Sequence, residues 1–239
     1  MDNLIANLKD KLDMIIHLAA NCSTPKSIEN PKQDFNDNAL ATFKICEISR
    51  KLNVPVIFTS SCKVHPNKRG ERAPYGLSKY VGELYLKEYK KMYGTKFIIN
   101  RPGTLYGPGQ EGSPESGWLS WFIKAKRENL PITIFGDGTQ SRDVLFISDY
   151  VNLLIDQIEH FGDYEREEPY EVGGGIENEI TLLKLLEFLE YKDYNFDSER
   201  KGDVKRFVSD NKDISSVKNW RPLVLWQEGV KQTLNSISK

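Results

Sequence analysis

The strongest constraint on this chain is the alternation, over its first hundred residues, of short apolar runs with longer amphipathic segments. The runs are Met14-Ile15-Ile16-His17-Leu18-Ala19-Ala20, Val54-Pro55-Val56-Ile57-Phe58-Thr59-Ser60 and Phe97-Ile98-Ile99-Asn100, the last ending at Arg101-Pro102. Nearly continuous apolar runs of this length suit parallel strands covered on both faces. Between the first two, residues 34–52 read as one helix with two apolar stripes, Phe35-Ala39-Phe43-Cys46 and Ile45-Ile48-Leu52. That is wide for a helix covering only a sheet, and it leaves one stripe for another subunit. Residues 75–93 read as a second helix with Val81, Tyr85, Tyr89 and Met92 on one face. Strand and helix at this spacing predict right-handed crossovers and a doubly wound α/β sheet.

The pattern loosens after Tyr106. Gly107, Pro108, Gly109, Gly112, Pro114 and Gly117 make a loop region. Helices are expected at 118–128, 148–161, 182–189 and 227–237, and strands at 132–135 and 169–172, the second closed by Gly173-Gly174-Gly175. The organisation read from this is an α/β part over residues 1–110 and a smaller mixed α/β lobe over 111–239, with segments around 131–172 returning to the core.

With 239 residues and 39% hydrophobic content, the chain can bury a sizeable core. A net charge of −1 without long like-charge runs gives no footing for nucleic acid. Lys87, Lys90 and Lys91 alternate with Glu83 and Glu88, which reads as a solvated helix face. No apolar stretch approaches the roughly 20 residues that span a bilayer, and residues 1–11 hold no signal-peptide core. The odd set Cys22, Cys46 and Cys62 has no metal-type spacing and reads as reduced thiols of a cytoplasmic protein. The three histidines, His17, His65 and His160, are too scattered to assemble a metal site.

The sharpest local signal is Tyr75-Gly76-Leu77-Ser78-Lys79, which sets a phenol and an ammonium one helical turn apart. A phenol with an ordinary pKa near ~10 is a poor base at neutral pH. A neighbouring cation favours its phenolate and makes it a usable acid/base group. Taken singly, the pair is more often an exposed helix start with a solvated lysine. Thr59-Ser60-Ser61 ends the preceding strand, where open α/β sheets bind their ligands. A serine there can hydrogen-bond a substrate hydroxyl, or be an ordinary polar strand end. Arg142 and Arg200, near glycine-rich turns, suit a diphosphate because guanidinium binds phosphate bidentately, and each alone reads as a surface arginine. Trp118, Trp121 and Phe122 fit a core better than a base-stacking shelf, and His17 fits a satisfied strand histidine better than a general base.

A serine at a strand end followed by tyrosine and lysine on the crossover helix is the arrangement of the short-chain dehydrogenase/reductase superfamily. The chain resembles its extended branch, the NAD-dependent nucleotide-sugar epimerases and dehydratases, over nearly its whole length. His17-Leu18-Ala19-Ala20 looks like the family's fourth strand, Asn38 like an asparagine of its fourth helix, and Phe58 to His65 like its serine-bearing segment. Arg101 to Pro108 looks like the strand-six motif, Gly136-Asp137-Gly138-Thr139-Gln140-Ser141-Arg142-Asp143 like its sugar-nucleotide segment, Arg200-Lys201-Gly202-Asp203 like a late Arg-x-Gly-Asp, and Asn219-Trp220-Arg221-Pro222 like its closing signature. Residues 117–122 and 173–178, with Cys62-Lys63-Val64, look most like the CDP-paratose (CDP-tyvelose) 2-epimerases.

The resemblance implies a Rossmann-like doubly wound parallel sheet and a substrate lobe. It implies catalysis by Ser61, Tyr75 and Lys79. NAD would lie against Leu18, Ala19, Ala20, Asn38, Tyr75, Lys79 and Pro102. A nucleotide-diphosphate sugar would meet Ser61, Thr104, Arg142, Arg200 and Asp203. It also implies a homodimer through the helices near 35–52 and 75–93. A 4,6-dehydratase carries an Asp-Glu pair after the serine or threonine; Cys62 and Lys63 stand there, which favours an epimerase. Thr104 replaces a common asparagine, Ala41 a usual glycine, and the loop between Ser61 and Tyr75 is short. No Gly-x-x-Gly-x-x-Gly turn precedes Met14. Such a turn lets the backbone approach the cofactor pyrophosphate. The reading is therefore of an N-terminally truncated sheet, with the Met14 strand left at an open edge. The alternative is a catalytically inactive remnant that binds a nucleotide sugar or dimerises with a full-length relative.

Overall fold

The computed structural model describes residues 2–199 and 204–236, with side chains from Ile5 onward, so Arg200 and Asp203 lie outside the described residues. In chain order the first elements are α1 (Asp2–Leu8), β1 (Ile15–His17), α2 (Thr24–Glu29) and α3 (Pro31–Asp34). A π-helical segment (Phe35–Leu40) runs into α4 (Ala41–Leu52), followed by β2 (Val56–Thr59), a 3₁₀ turn (Cys62–Val64), α5 (Pro74–Tyr93) and β3 (Phe97–Pro102). Then come β4 (Thr104–Tyr106), α6 (Trp118–Glu128), β5 (Ile132–Phe135), β6 (Ser141–Phe146), α7 (Ile147–Glu159) and α8 (Phe161–Tyr164). The chain closes with β7 (Tyr170–Val172), β8 (Glu179–Thr181), α9 (Leu182–Phe188), β9 (Tyr194–Asp197), β10 (Arg206–Phe207), α10 (Lys212–Lys218) and α11 (Trp226–Ser236).

The chain divides into two compact units. One comprises residues 1–66, 72–101 and 154–170; the other comprises 67–71, 102–153 and 171–239. In the first unit β1, β2 and β3 form a parallel sheet in register Ile15 to Val56 and Val56 to Phe97, with the strand beginning at Tyr170 next in order. This is the α/β sheet that the alternation predicts. β2 and the Phe97–Asn100 stretch of β3 are buried along almost their whole length, as strands covered on both faces should be. β1 departs from that expectation: Ile16 is 41% exposed, and Leu18, just after the strand, is 52% exposed. Among the described residues β1 pairs only with β2, so its outer side is uncovered.

Helix ends follow local chemistry. α5 starts with Pro74, whose fixed φ and missing N–H suit the first turn, and stops at Gly94 in the left-handed region (φ 70°). The helix expected over 34–52 is interrupted by a π-helical stretch at 35–40, and within α4 the buried positions are Thr42, Cys46, Ile48 and Ser49. Cys46, Val56, Phe58, Leu86, Phe97 and Ile99 form the core where α4 and α5 cover the sheet.

The second unit is built on β6, which runs parallel to β4 and β10 and antiparallel to β8, with β5 and β9 as a separate parallel pair. Its core includes Phe122, Ile123, Ile134 and Trp226, with Trp118 and Trp121 packed against it, so the aromatic run is core. No helix among the described residues is long and apolar enough to cross a membrane.

Candidate active site

β2 delivers Ser60 and Ser61 to the end of the sheet. The Ser60 N–H donates to the Asn100 carbonyl at 2.7 Å, which fixes the strand end against β3. Ser61 is extended (φ −162°, ψ 150°), and its hydroxyl accepts from the Lys63 N–H at 3.2 Å, capping the 3₁₀ turn. That turn lies directly on the start of α5. A Cβ built on Gly76 would sit 2.1 Å from the Lys63 carbonyl oxygen, so only glycine admits this approach. Ser61 and Tyr75 are thereby brought side by side.

Tyr75 is buried, and burial pushes its phenol above the ordinary range. The neighbouring Ser61 hydroxyl works in the opposite direction, while charge at Cys22, Cys62 and Asp34 pushes it up further. The resting phenol is therefore protonated. Lys79, one turn on, is 2% exposed. Its ammonium stands 4.4 Å from the Phe58 ring centre and makes no hydrogen bond among the described residues. Burial brings its pKa down to about 8, against the opposing charges of Glu83, Cys22 and Asp34.

His17 is buried beneath this pair. Its Nε2 lies 3.1 Å from the Thr42 hydroxyl, and its ring stacks on Phe58 at 5.3 Å. Burial first, and the Lys79 charge second, lower its pKa to about 4, so it stays neutral. It is a satisfied strand histidine, as its sequence context indicates.

Asn38 is also buried, and its amide is fully engaged. Nδ2 donates to the Asn21 carbonyl (3.0 Å) and to Asp34 Oδ1 (2.8 Å), while Oδ1 accepts from the Asn21 N–H (2.9 Å). It clamps the loop that follows β1. Leu18, Ala19 and Ala20, at the mouth of that loop, are exposed.

Two buried carboxylates complete the surroundings, and sequence reasoning passed over both. Asp34 accepts from the Ser78 hydroxyl at 2.6 Å. Glu83 was expected on a solvated face with Lys87, Lys90 and Lys91, but it is 1% exposed. Its carboxylate takes Arg101 through Nε at 2.9 Å and Nη2 at 2.6 Å, and the Ser60 hydroxyl at 2.5 Å. The reason is helix geometry: four residues beyond Lys79, Glu83 lies on the same sheet-facing side. Nothing in the letters separates this face from a solvated one, so the sequence held no signal for it.

The remaining sequence candidates belong to the second unit. Pro102 is buried and Thr104, which begins β4, is half-buried. Arg142 lies on β6 opposite Phe207, with Nη1 donating to the Ser141 carbonyl at 2.7 Å. Beside it Glu179 binds Arg206 through two contacts of 2.7 and 2.8 Å and accepts from the Ser141 hydroxyl. Asp143, fully buried, has its carboxyl raised by burial and accepts from the Gly175 N–H at 3.2 Å. Among the described residues no group of three or more His, Cys, Asp or Glu could hold a metal ion.

Comparison with known proteins gives a consistent result. Residues 1–173 match the model of the NAD dependent epimerase/dehydratase family. A putative UDP-glucose 4-epimerase of Methanocaldococcus jannaschii is 32% identical, over 96% of this chain and 78% of its own length. The CDP-paratose 2-epimerase of Salmonella typhi is 30% identical, over 92% of this chain and 76% of its own. Among solved structures, the UDP-glucose 4-epimerase of Thermotoga maritima with UDP-glucose superposes with a TM-score of 0.88 at 26% identity, covering 99% of this chain and 81% of that one.

Proposed function

The chain belongs to the NAD-dependent epimerase/dehydratase family, and on that footing we propose that it epimerises a nucleotide-diphosphate sugar through a transient keto-sugar. The observation that carries this reading is the placement of Ser61 on the turn packed against the start of α5, which bears Tyr75, with Lys79 buried one turn away and making no hydrogen bond among the described residues.

The residues present fit the nicotinamide-ribose end of NAD. Lys79 has its ammonium donors to offer a ribose, and Leu18, Ala19 and Ala20 present an exposed, mostly small-residue surface beyond β1. When bound, NAD supplies the hydride acceptor and donor and, in its oxidised form, a positive charge. Tyr75, once deprotonated to the phenolate beside Lys79, takes the proton of the reacting sugar hydroxyl and returns it to that oxygen when the keto-sugar is reduced. Ser61 donates to the same sugar oxygen and steadies the charge that gathers there. Lys79, as a cation, stabilises the phenolate whenever Tyr75 has given up its proton. Asn38 acts at one remove, by holding the Asn21 loop that borders the cofactor surface.

Arg142 is assigned to the substrate diphosphate and Thr104 to the sugar; Arg200 and Asp203 keep that assignment on sequence alone. Both curated relatives described above carry epimerase names, though for different sugars, which supports the class and leaves the sugar open. The apolar groove of Phe35, Ala39, Leu40, Phe43, Val81 and Tyr85 is assigned to a second copy of the chain. Phe35 (51% exposed) and Tyr85 (40% exposed) line it.

Tyr75→Phe tests the reading. Loss of a proton-transfer group costs on the order of 10²–10⁴ in kcat. Turnover of candidate CDP- and UDP-sugars should fall by that factor while calorimetric binding of NAD is retained. Undiminished turnover would remove Tyr75 from the mechanism. Absence of NAD binding to the wild-type chain would favour the remnant that only binds a nucleotide sugar.

A further inference from the structure

We propose that Glu83 is a positioning residue for the reacting hydroxyls, acting through Ser60 to set the direction of Ser61. The inference rests on the assignment of Ser61 and Tyr75 as the reacting pair. It adds a part that neither proton transfer nor cofactor binding requires.

The argument starts from how many groups converge on one residue. Ser60 is 3% exposed and tied at two points: its N–H to the Asn100 carbonyl, and its hydroxyl to Glu83 at 2.5 Å. Asn100 is itself locked, exchanging two hydrogen bonds with Gln157 of α7 at 2.7 and 2.9 Å. Glu83 cannot turn away from Ser60, because Arg101 grips both its oxygens. A buried carboxylate in two directed contacts with guanidinium is held in orientation as well as in charge. β2, β3 and α5 are thus joined at one point, and the residue that follows it along the chain is Ser61.

The ordering matters because Ser61 ends a strand. Beyond Ser60 the chain turns away from β3, and the 3₁₀ turn gives Ser61 a competing use for its hydroxyl as a cap, through the 3.2 Å contact from Lys63. A turn of the backbone at Ser61 would carry its hydroxyl away from Tyr75. The Ser60–Glu83 bond opposes that rotation. The other charged groups around the α5 turn, Asp34 on α3 and Lys79 on α5, have their own contacts with Ser78 and Phe58 and none with Ser60.

The test uses Ser60→Ala, which removes the link and leaves the Glu83–Arg101 pair intact, and Glu83→Gln as the second variant. The first readout needs neither cofactor nor substrate. Tyrosines are labelled with ¹³C at Cζ, and the Tyr75 resonance is assigned by its loss in Tyr75→Phe. Ser61→Ala should displace that resonance, Ser60→Ala should displace it in the same sense, and the double variant should add nothing further. In turnover, Ser60→Ala should lower kcat on the order of ten- to a hundredfold with KM nearly unchanged, as small misplacements of reacting groups do. A Tyr75 resonance that moves in Ser61→Ala but stays put in Ser60→Ala and Glu83→Gln overturns this inference alone. A resonance unmoved by Ser61→Ala overturns it together with the Ser61–Tyr75 assignment. A lower melting temperature with kcat preserved would make Glu83 merely structural.

Discussion

Acid should unfold this protein partly through one histidine. His17 is 6% exposed between Thr42 and the Phe58 ring, and its folded pKa lies at about 4 instead of 6.5 because of burial first and the Lys79 charge second. The unfolded chain takes up a proton at this site below pH 6.5, whereas the folded chain does so only below about 4. Between those values the unfolded state binds more protons, so stability falls as pH falls, and the loss levels off below the folded pKa. The full gap corresponds to about 3.4 kcal/mol, of which about 2 kcal/mol is already lost at pH 5. That is a large share of a typical net stability of roughly 5–15 kcal/mol.

The assay is urea unfolding at pH 7.5 and pH 5 for the wild type and for His17→Gln, which keeps a polar partner for Thr42 and does not titrate. Carboxylates common to both proteins cancel in the comparison. The wild type should lose about 2 kcal/mol more than the variant between the two pH values. Because the sequence has only three histidines, the ring resonance of His17 can also be followed by NMR in the folded state. Equal acid losses in the two proteins, or a His17 ring that titrates at its ordinary value, would refute the reasoning.

Three other outcomes follow from the same contacts. The Lys79 pKa of about 8 should place an alkaline limb in the rate profile, activity declining above that pH as the ammonium deprotonates; in Lys79→Arg, which stays charged, the limb should move upward, and a limb left in place would clear Lys79 of responsibility. Gly76→Ala drives a Cβ to 2.1 Å from the Lys63 carbonyl, so it should cost about 1–3 kcal/mol in thermal unfolding and lower kcat by displacing the Ser61 turn; an unchanged melting temperature would contradict the close approach. Tyr85→Asp, in the groove beside Phe35 and Phe43, should shift sedimentation toward the monomer, and an unaltered sedimentation profile would rule out that face as the interface.

The sheet of the first unit was legible because parallel strands write themselves as apolar runs, and Val56 to Thr59 and Phe97 to Asn100 pair in register as that pattern requires. Helix α6 at Trp118–Glu128 and strand β5 at Ile132–Phe135 match the expected spans for the same reason. Strand β6 escaped notice. Ser141-Arg142-Asp143 is polar at its start, and what makes it a strand is non-local: β4, β8 and β10 pair with it from distant parts of the chain. Within the site, Ser61, Tyr75 and Lys79 could be named from spacing, since one helical turn fixes two of them. The buried roles of Asp34, Glu83 and Arg101 could not, because a charged residue writes the same letter whether it faces solvent or a partner inside.

Those buried charges bear on why Lys79 is unusual. Burying an ion is costly unless contacts on the protein offset it. Asp34 has Ser78 and Asn38, and Glu83 has Arg101 and Ser60, so each carboxylate is met by directed donors. Lys79 is as deeply buried as either, yet its contact is the face of Phe58 at 4.4 Å, with the two carboxylates acting on it only through their charge. An aromatic face accepts a cation without holding it in one direction and consumes none of its three N–H donors. The surroundings therefore keep Lys79 charged at neutral pH and leave its hydrogen bonds uncommitted. A lysine with a purely structural duty would be expected to lie within hydrogen-bonding distance of Asp34 or Glu83. Uncommitted donors are what the cofactor role proposed for Lys79 requires.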